Sequence, residues 1–192
     1  MNDAPPTGRA LWIAGARPRT LPAAVVPVAV GAACAVGEGV DAWWRAIFAL
    51  IVALALQVGV NYANDFSDGV RGTDDERRVG PLRLVGSGLA PAASVKRAAQ
   101  LSFATAGVFG GVLALVVGPE LFVVGALSII AGWTYTGGPK PYGYLGLGQM
   151  IQAVVDVQKG ATGPELVRVL GLTASVQMAS GLGFAIGVAL TG

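Results

Sequence analysis

Oxygen-bearing side chains are crowded into residues 61–74, NYANDFSDGVRGTD, at the end of a segment that is otherwise apolar. If the helix of that segment continues to residue 68, at about 100° per residue, four of these side chains fall within a sector of roughly 100°. The four are Asn61, Asn64, Asp65 and Asp68. Amide and carboxylate oxygens are therefore predicted to share one helix face at the boundary of an apolar segment.

This arrangement predicts a cation site. Carboxylates at a membrane boundary repel one another and lose hydration, so we expect a cation or a polar substrate to compensate them. Mg²⁺ suits an all-oxygen set because it usually needs only one or two carboxylates when substrate phosphates supply the other ligands. Gly69 and Gly72 are expected to break the helix and to let Asp74 fold back. The predicted metal ligands are Asn64, Asp65, Asp68 and Asp74, and the first three are the predicted catalytic residues.

Arginines follow the acidic residues closely, at Arg71, Arg77, Arg78 and Arg83. A guanidinium group can hold two diphosphate oxygens at once, so acids, a metal ion and arginines together describe a diphosphate site. The alternative is a solvated loop in which acids and bases neutralise one another, and this interpretation is favoured for residues 75–78.

The composition predicts an integral membrane protein, with the lipid bilayer as its surroundings. The chain has 192 residues, of which 54% are hydrophobic and 12% charged, and its mean hydropathy is +0.64. A bilayer core needs roughly 20 helical residues, so we predict an all-α, multi-span transmembrane helical bundle with about five spans. The predicted spans are Leu21–Val36, Trp43–Val60, Lys96–Val117, Leu121–Tyr135 and Val167–Leu190, of which the first and the fourth are short. Residues 1–192 are expected to form a single membrane domain.

The positions of the basic residues predict the orientation of these spans, because Lys and Arg beside a span tend to stay in the cytoplasm. Three arginines precede the first predicted span, and six basic residues lie between Arg71 and Arg97. We therefore expect a multi-pass protein of the inner (plasma) membrane with its N-terminus and both long polar loops in the cytoplasm. Of the 13 Lys and Arg residues, only Arg45 falls on the other side in this arrangement.

Several classes of function are excluded or disfavoured. The chain contains no histidine, which excludes a histidine general base and histidine metal ligands, and its single cysteine, Cys34, cannot form an internal disulfide. No P-loop motif occurs, and basic residues mixed with acids on a membrane face do not indicate a nucleic-acid partner. A small transporter would carry charges in mid-span, but no charged residue lies deep in any predicted span.

Three motifs carry a resemblance to a known family: NDFSDGVRGTD, RVGPLRLVGSGL after it, and YTGGPKPYGYLGLGQ further on. They resemble the UbiA superfamily of intramembrane aromatic prenyltransferases, and within it the MenA-type branch that prenylates 1,4-dihydroxy-2-naphthoate. The Gly-, Ala- and Val-rich composition is typical of an actinobacterial member. The resemblance covers residue 10 to about residue 149 and resumes in the last predicted helix.

The resemblance implies a bundle of about nine transmembrane helices around a central cavity. It also implies two aspartate motifs that bind Mg²⁺ and a polyprenyl diphosphate, and an aromatic acceptor, 1,4-dihydroxy-2-naphthoate, whose prenylation and decarboxylation give demethylmenaquinone in menaquinone biosynthesis. Another aromatic acceptor, such as 4-hydroxybenzoate, stays open. The substrate-binding residues implied are Asn61, Arg71, Arg83, Tyr135, Lys140 and Tyr142.

The chain departs from the family pattern in its second half. After Glu120 the only acids are Asp156 and Glu165, so no second aspartate motif is present. We expect an internally deleted member with a family-like part at 1–149, an atypical junction at 150–165 and the last helix at 166–192. A homo-oligomer in which two chains complete one site, and a truncated, non-catalytic homologue or membrane subunit, are the two outcomes that this departure leaves open.

Overall fold

The computed structural model describes residues 6–37, 42–72, 81–135 and 137. Within these ranges every regular element is helical, which confirms the predicted all-α class. The helices are α1 (Gly8–Ala16), α2 (Pro22–Gly37), α3 (Trp43–Arg71), α4 (Ala92–Val117) and α5 (Glu120–Thr134), with a 3₁₀ turn at Pro18–Thr20 between α1 and α2. The sequence analysis did not predict α1.

Two of these helices, α3 and α4, are long and apolar enough to cross a membrane. The segment from α1 to the 3₁₀ turn meets α2 at a bend of 55°, and the two together would make a third span. Helix α5 has 15 residues and is shorter than a full crossing. The four predicted spans before residue 136 therefore coincide with α2, α3, α4 and α5, whereas Val167–Leu190 lies outside the described residues.

Helix α3 is the element on which the others pack. After Trp43, Trp44 and Arg45 it continues as a run of Ala, Ile, Phe, Leu and Val to residue 56, and polar residues follow from Gln57 onward. Helix α4 packs along it with the ring of Phe103 against Gly59, and Gly132 of α5 lies against both Val60 and Phe103. Glycines at these contacts let the helix backbones approach closely, as is usual where helices pack in lipid.

The continuation of this helix to residue 68, on which the shared face depends, is confirmed, since α3 ends at Arg71 with Gly72 in the left-handed conformation at φ 66°. The expected break at Gly69 is wrong, because Gly69 is helical. Its role is a close approach instead: a Cβ on Gly69 would overlap the side chain of Val85 and lie 3.1 Å from the backbone nitrogen of Gly86.

We expect Gly69→Ala to destabilise the protein by on the order of 1–3 kcal/mol, because the added methyl forces the backbone of residues 85 and 86 away from α3. Gly31→Ala in α2 is the matched control, since nothing lies within 4 Å of its Cβ position. Thermal denaturation in detergent measures both variants. Equal midpoints for the two variants would contradict the close approach at Gly69.

Candidate functional site

The carboxylate of Asp65 holds the segment that joins α3 to α4. Asp65 is fully buried, with 0% of its surface exposed. Its Oδ2 accepts the backbone N–H of Leu84 at 2.8 Å, and its Oδ1 accepts the backbone N–H of Val85 at 3.0 Å. Hydrogen bonds from N–H groups to an ionised carboxylate are stronger than those between neutral groups. Asp65 therefore fixes the backbone of this segment to the last turns of α3.

Residues 81–91 form a compact turn around that anchor. The N–H groups of Ser87, Gly88 and Ala90 donate to the carbonyls of Arg83, Val85 and Leu84 at 3.0 to 3.2 Å. Gly88 supplies the left-handed conformation, at φ 67°, that the turn requires. The side chain of Leu84 is fully buried and faces Gly15 of α1, where a Cβ would lie 2.8 Å from its Cδ1. The side chain of Leu84 thus packs the turn against α1, and the backbone N–H groups of Leu84 and Val85 bind it to α3.

The turn places Arg83 beside the second aspartate of α3. Arg83 Nη2 donates to Asp68 Oδ2 at 2.8 Å, and both side chains are at most 10% exposed. A charge removed from water needs a partner, and removal of one member of such a pair is strongly destabilising. Because Arg83 directly precedes Leu84 in the chain, the Asp65 anchor sets where the guanidinium group lies. We call Asp65, Asp68 and Arg83 the aspartate site.

Asn61, one helical turn before Asp65, contacts the N-terminal segment instead of the 81–91 turn. Its Nδ2 donates to the carbonyl of Ala16 at 2.8 Å and to Oγ1 of Thr20 at 2.9 Å. Gln57, a further turn back, donates to the same hydroxyl at 3.3 Å. The hydroxyl of Tyr62 donates to the carbonyl of Trp12 at 2.7 Å. These bonds attach α1 and the 3₁₀ turn to the polar end of α3.

The structure brings together some of the predicted site residues. Asp65, Asp68 and Arg83 lie together, and Asn61 is buried on the side of α1. Asn64 is half-buried, Arg71 is exposed as the last residue of α3, and Tyr135 is half-buried directly after α5. Asp74, Lys140 and Tyr142 lie outside the described residues.

Three contributions to this region were missed by the sequence analysis: the hydroxyl of Thr20, the amide of Gln57, and the backbone N–H groups of residues 84 and 85. A signal for Gln57 was present, since it is a polar residue within an apolar run and lies one turn before Asn61. Backbone donors carry no signal in the residue types. Thr20 is marked only by its place between two prolines, Pro18 and Pro22.

The side chains at the end of α3 match a hard cation in chemistry, because the available ligands are all oxygens. Among the described residues, no group of three or more acidic, histidine or cysteine side chains converges on one point. Two carboxylates and the amide of Asn64 suffice for Mg²⁺ when a phosphate substrate brings further oxygens. The residues present therefore fit a metal that is held jointly with a diphosphate.

An apolar cavity lies elsewhere in the described part of the chain. It has a volume of about 600 Å³ and is formed by α2 and the first half of α3, with Arg45 at its wall. Arg45 and Asp65 are 20 residues apart on α3, which corresponds to roughly 30 Å along a helix. This cavity is separate from the aspartate site.

Comparison with known proteins identifies relatives along most of the chain. Residues 24–190 match the UbiA prenyltransferase family. The chain is 56% identical over 141 residues to the 1,4-dihydroxy-2-naphthoate octaprenyltransferase of Mycobacterium tuberculosis, covering 73% of this chain and 48% of that protein. It is 38% identical over 152 residues to the Escherichia coli protein of the same name, covering 72% and 47%.

A more distant relative is named for a different activity. The 2-carboxy-1,4-naphthoquinone phytyltransferase of Synechocystis is 32% identical over 157 residues, which cover 76% of this chain and 47% of that protein. The chain thus spans about half the length of the curated relatives that it matches. No solved structure matches the chain with significance.

We expect Asp65→Asn to release the 81–91 turn, because an amide NH₂ would face one of the two backbone N–H groups that the carboxylate now accepts. An unsatisfied buried donor destabilises by on the order of 1–3 kcal/mol. Hydrogen exchange followed by mass spectrometry should show faster exchange at Leu84 and Val85 than in the parent chain.

Asp68→Asn is the matched control, because it removes a carboxylate from the same helix face without touching those two N–H groups. Because Asp68→Asn also removes the ionic partner of Arg83, some increase in exchange is expected, but exchange at Leu84 and Val85 should stay slower than in Asp65→Asn. Equal exchange in Asp65→Asn and the parent would contradict the anchor.

Proposed function

The chain belongs to the UbiA prenyltransferase family, and we propose that it transfers a polyprenyl group from a polyprenyl diphosphate to 1,4-dihydroxy-2-naphthoate. Diphosphate leaves from the prenyl donor and the acceptor's carboxylate leaves as CO₂, which gives demethylmenaquinol. Oxidation of this quinol by dioxygen in air gives demethylmenaquinone, which belongs to menaquinone biosynthesis. The activity for which the mycobacterial and Escherichia coli relatives are named supports this choice of acceptor. The resemblance that the motifs indicated is confirmed by the family match.

The observation that carries this proposal is the aspartate site at the end of a membrane-spanning helix. Asp65 and Asp68 lie one turn apart on α3, and Arg83 is held against Asp68 by a turn that Asp65 anchors. A diphosphate needs positive groups at fixed positions, and an arginine fork can bind two of its oxygens. The chain holds such an arginine in place before any substrate arrives.

We propose Asn64, Asp65, Asp68 and Asp74 as the residues that would hold Mg²⁺. Mg²⁺ bound with the substrate would withdraw charge from the diphosphate and make it a better leaving group. Each carboxylate oxygen can accept more than one bond, so Asp65 keeps lone pairs beyond those used by Leu84 and Val85.

The chain's own residues then have distinct roles in the proposed reaction. Arg83 and Arg71 would bind the diphosphate and stabilise the charge that develops as its bond to the prenyl carbon breaks. Asn61, Tyr135, Lys140 and Tyr142 complete the proposed substrate-binding set. The electron-rich ring of the acceptor attacks the prenyl carbon, and water must be excluded while this happens.

The proposed setting is the inner (plasma) membrane, with the aspartate site at the cytoplasmic face. The apolar helices and the family place the protein in a membrane. The basic residues around the aspartate site, including Arg71, Lys96 and Arg97, support the cytoplasmic orientation.

A second candidate is a non-catalytic membrane protein of the same family. Its support is that the sequence has no second cluster of acids after Glu120, where only Asp156 and Glu165 follow. A homo-oligomer that places two aspartate sites together is the arrangement in which the 192-residue chain would supply more carboxylates to one diphosphate.

Membranes that contain the 192-residue chain should form demethylmenaquinone from a polyprenyl diphosphate and 1,4-dihydroxy-2-naphthoate, and only when Mg²⁺ is present. Mass spectrometry detects the product. Asp68→Asn is the matched variant, since it leaves both hydrogen bonds of Asp65 to the turn in place and removes one proposed metal ligand, and it should lose the product in chains shown to be folded and inserted. No product from a folded, inserted parent chain would favour the non-catalytic candidate.

We expect Arg83→Lys to weaken binding of a polyprenyl diphosphate analogue by about tenfold, because lysine keeps the charge and loses the two-pronged contact. Arg45→Lys, at the other end of α3, is the control and should bind as the parent does. Fluorescence titration with a labelled analogue measures the dissociation constants. Equal affinities in the two variants would remove Arg83 from the site.

A further inference from the structure

The hydroxyl of Thr20 has its full set of hydrogen bonds. Thr20 Oγ1 donates to the carbonyl of Arg17 at 2.9 Å. It accepts from Asn61 Nδ2 at 2.9 Å and from Gln57 Nε2 at 3.3 Å. A hydroxyl has one donor and two lone pairs, so each is used once. This one group connects the 3₁₀ turn with two successive turns of α3.

These contacts determine which end of the Asn61 amide points where. The carbonyl of Ala16 can only accept, so the Asn61 atom 2.8 Å from it must be the NH₂ nitrogen. The proton of the Thr20 hydroxyl is already given to Arg17, so Thr20 also accepts from Asn61. The two acceptors give the same answer independently, which removes the usual ambiguity between the oxygen and nitrogen of an amide.

The other end of the Asn61 amide is its carbonyl oxygen, Oδ1. Both N–H bonds of Asn61 are used by Ala16 and Thr20, and within the described ranges no residue donates to its Oδ1. Asn61 can then contact a ligand only through its carbonyl oxygen, as a metal ligand or a hydrogen-bond acceptor. It has no N–H left to donate to a phosphate. Asp65 follows one turn later on the same helix face, so the amide oxygen adds to the oxygen side chains there.

We propose that Thr20 is a positioning residue for Asn61. By accepting a hydrogen bond from the amide nitrogen, Thr20 keeps the carbonyl oxygen of Asn61 available to a diphosphate that carries a cation. This inference rests on the proposed function, since it deepens the role of Asn61 in diphosphate binding. Without the hydroxyl, one N–H of Asn61 loses its acceptor. That N–H then turns to other acceptors, and the carboxylate of Asp65, four residues on, is within reach of such a pair.

The direct test follows the Asn61 side chain itself, with no ligand present. The chain has three asparagines, so selective ¹⁵N-asparagine labelling gives three side-chain NH₂ signals, and the signal lost in Asn61→Asp is that of Asn61. In the parent chain in detergent, both Asn61 protons should exchange with water at least about tenfold more slowly than in a short peptide, because both are hydrogen-bonded. Fast exchange of both protons in the parent would overturn the inference.

Variants then separate the hydroxyl from the packing of the side chain. Thr20→Val keeps the shape and removes the hydroxyl, and it should speed the exchange of one Asn61 proton by about tenfold or more. Thr20→Ser keeps the hydroxyl and should behave as the parent. Gln57→Met removes the other donor to Thr20 and should leave the Asn61 protons protected. Slow exchange of both protons in Thr20→Val would overturn the role of Thr20.

The link to function is tested by calorimetry with Mg²⁺ and a polyprenyl diphosphate analogue. Thr20→Val should bind the analogue about tenfold more weakly than the parent, because loss of a residue that orients a ligand-binding group typically weakens binding by at least that much. Thr20→Ser should have the affinity of the parent. Unchanged affinity in Thr20→Val would overturn the positioning role. Absence of binding by the parent would count against the proposed function, whereas the exchange measurement still decides whether Thr20 orients Asn61.

Discussion

A carboxylate that is shielded from water must find donors within the protein, and Asp65 meets this requirement with two backbone N–H groups of the 81–91 turn. Those bonds determine the position of residues 81–91, which lead into α4. They place Leu84 in the core against α1, and they place Arg83 against Asp68. The hydrogen bonds of Asp65 therefore position Arg83, which pairs with Asp68 on the same helix.

Close approaches make this arrangement possible. Gly69 lets the backbone of the turn lie directly on α3, and Gly15 gives the side chain of Leu84 its place on α1. The bonds of Asn61 and Tyr62 hold α1 and the 3₁₀ turn against the same end of α3. Three segments that are distant in the sequence, around residues 12–20, 57–69 and 83–88, thus meet at one end of the helical bundle.

Periodicity and hydropathy predicted much of this correctly. The apolar runs predicted α2 to α5, and helical register as far as Asp68 predicted that four oxygen-bearing side chains near the end of α3 share one face. The Asp65 anchor could not be predicted, because its partners are backbone N–H groups that every residue except proline carries. Gly69 was misread for a related reason: glycine breaks helices in general, and only the tertiary contact with Val85 shows that it serves a close approach within one.

The proposal that follows from family membership and the aspartate site is a diphosphate held with Mg²⁺ at the end of α3. The most direct measurement is calorimetric titration of the purified 192-residue chain with a non-reactive polyprenyl diphosphate analogue, with and without Mg²⁺. Saturable binding that requires Mg²⁺ is the predicted result. Absence of binding, or equal binding with the metal chelated, would contradict the central claim that this site holds a metal-bound diphosphate.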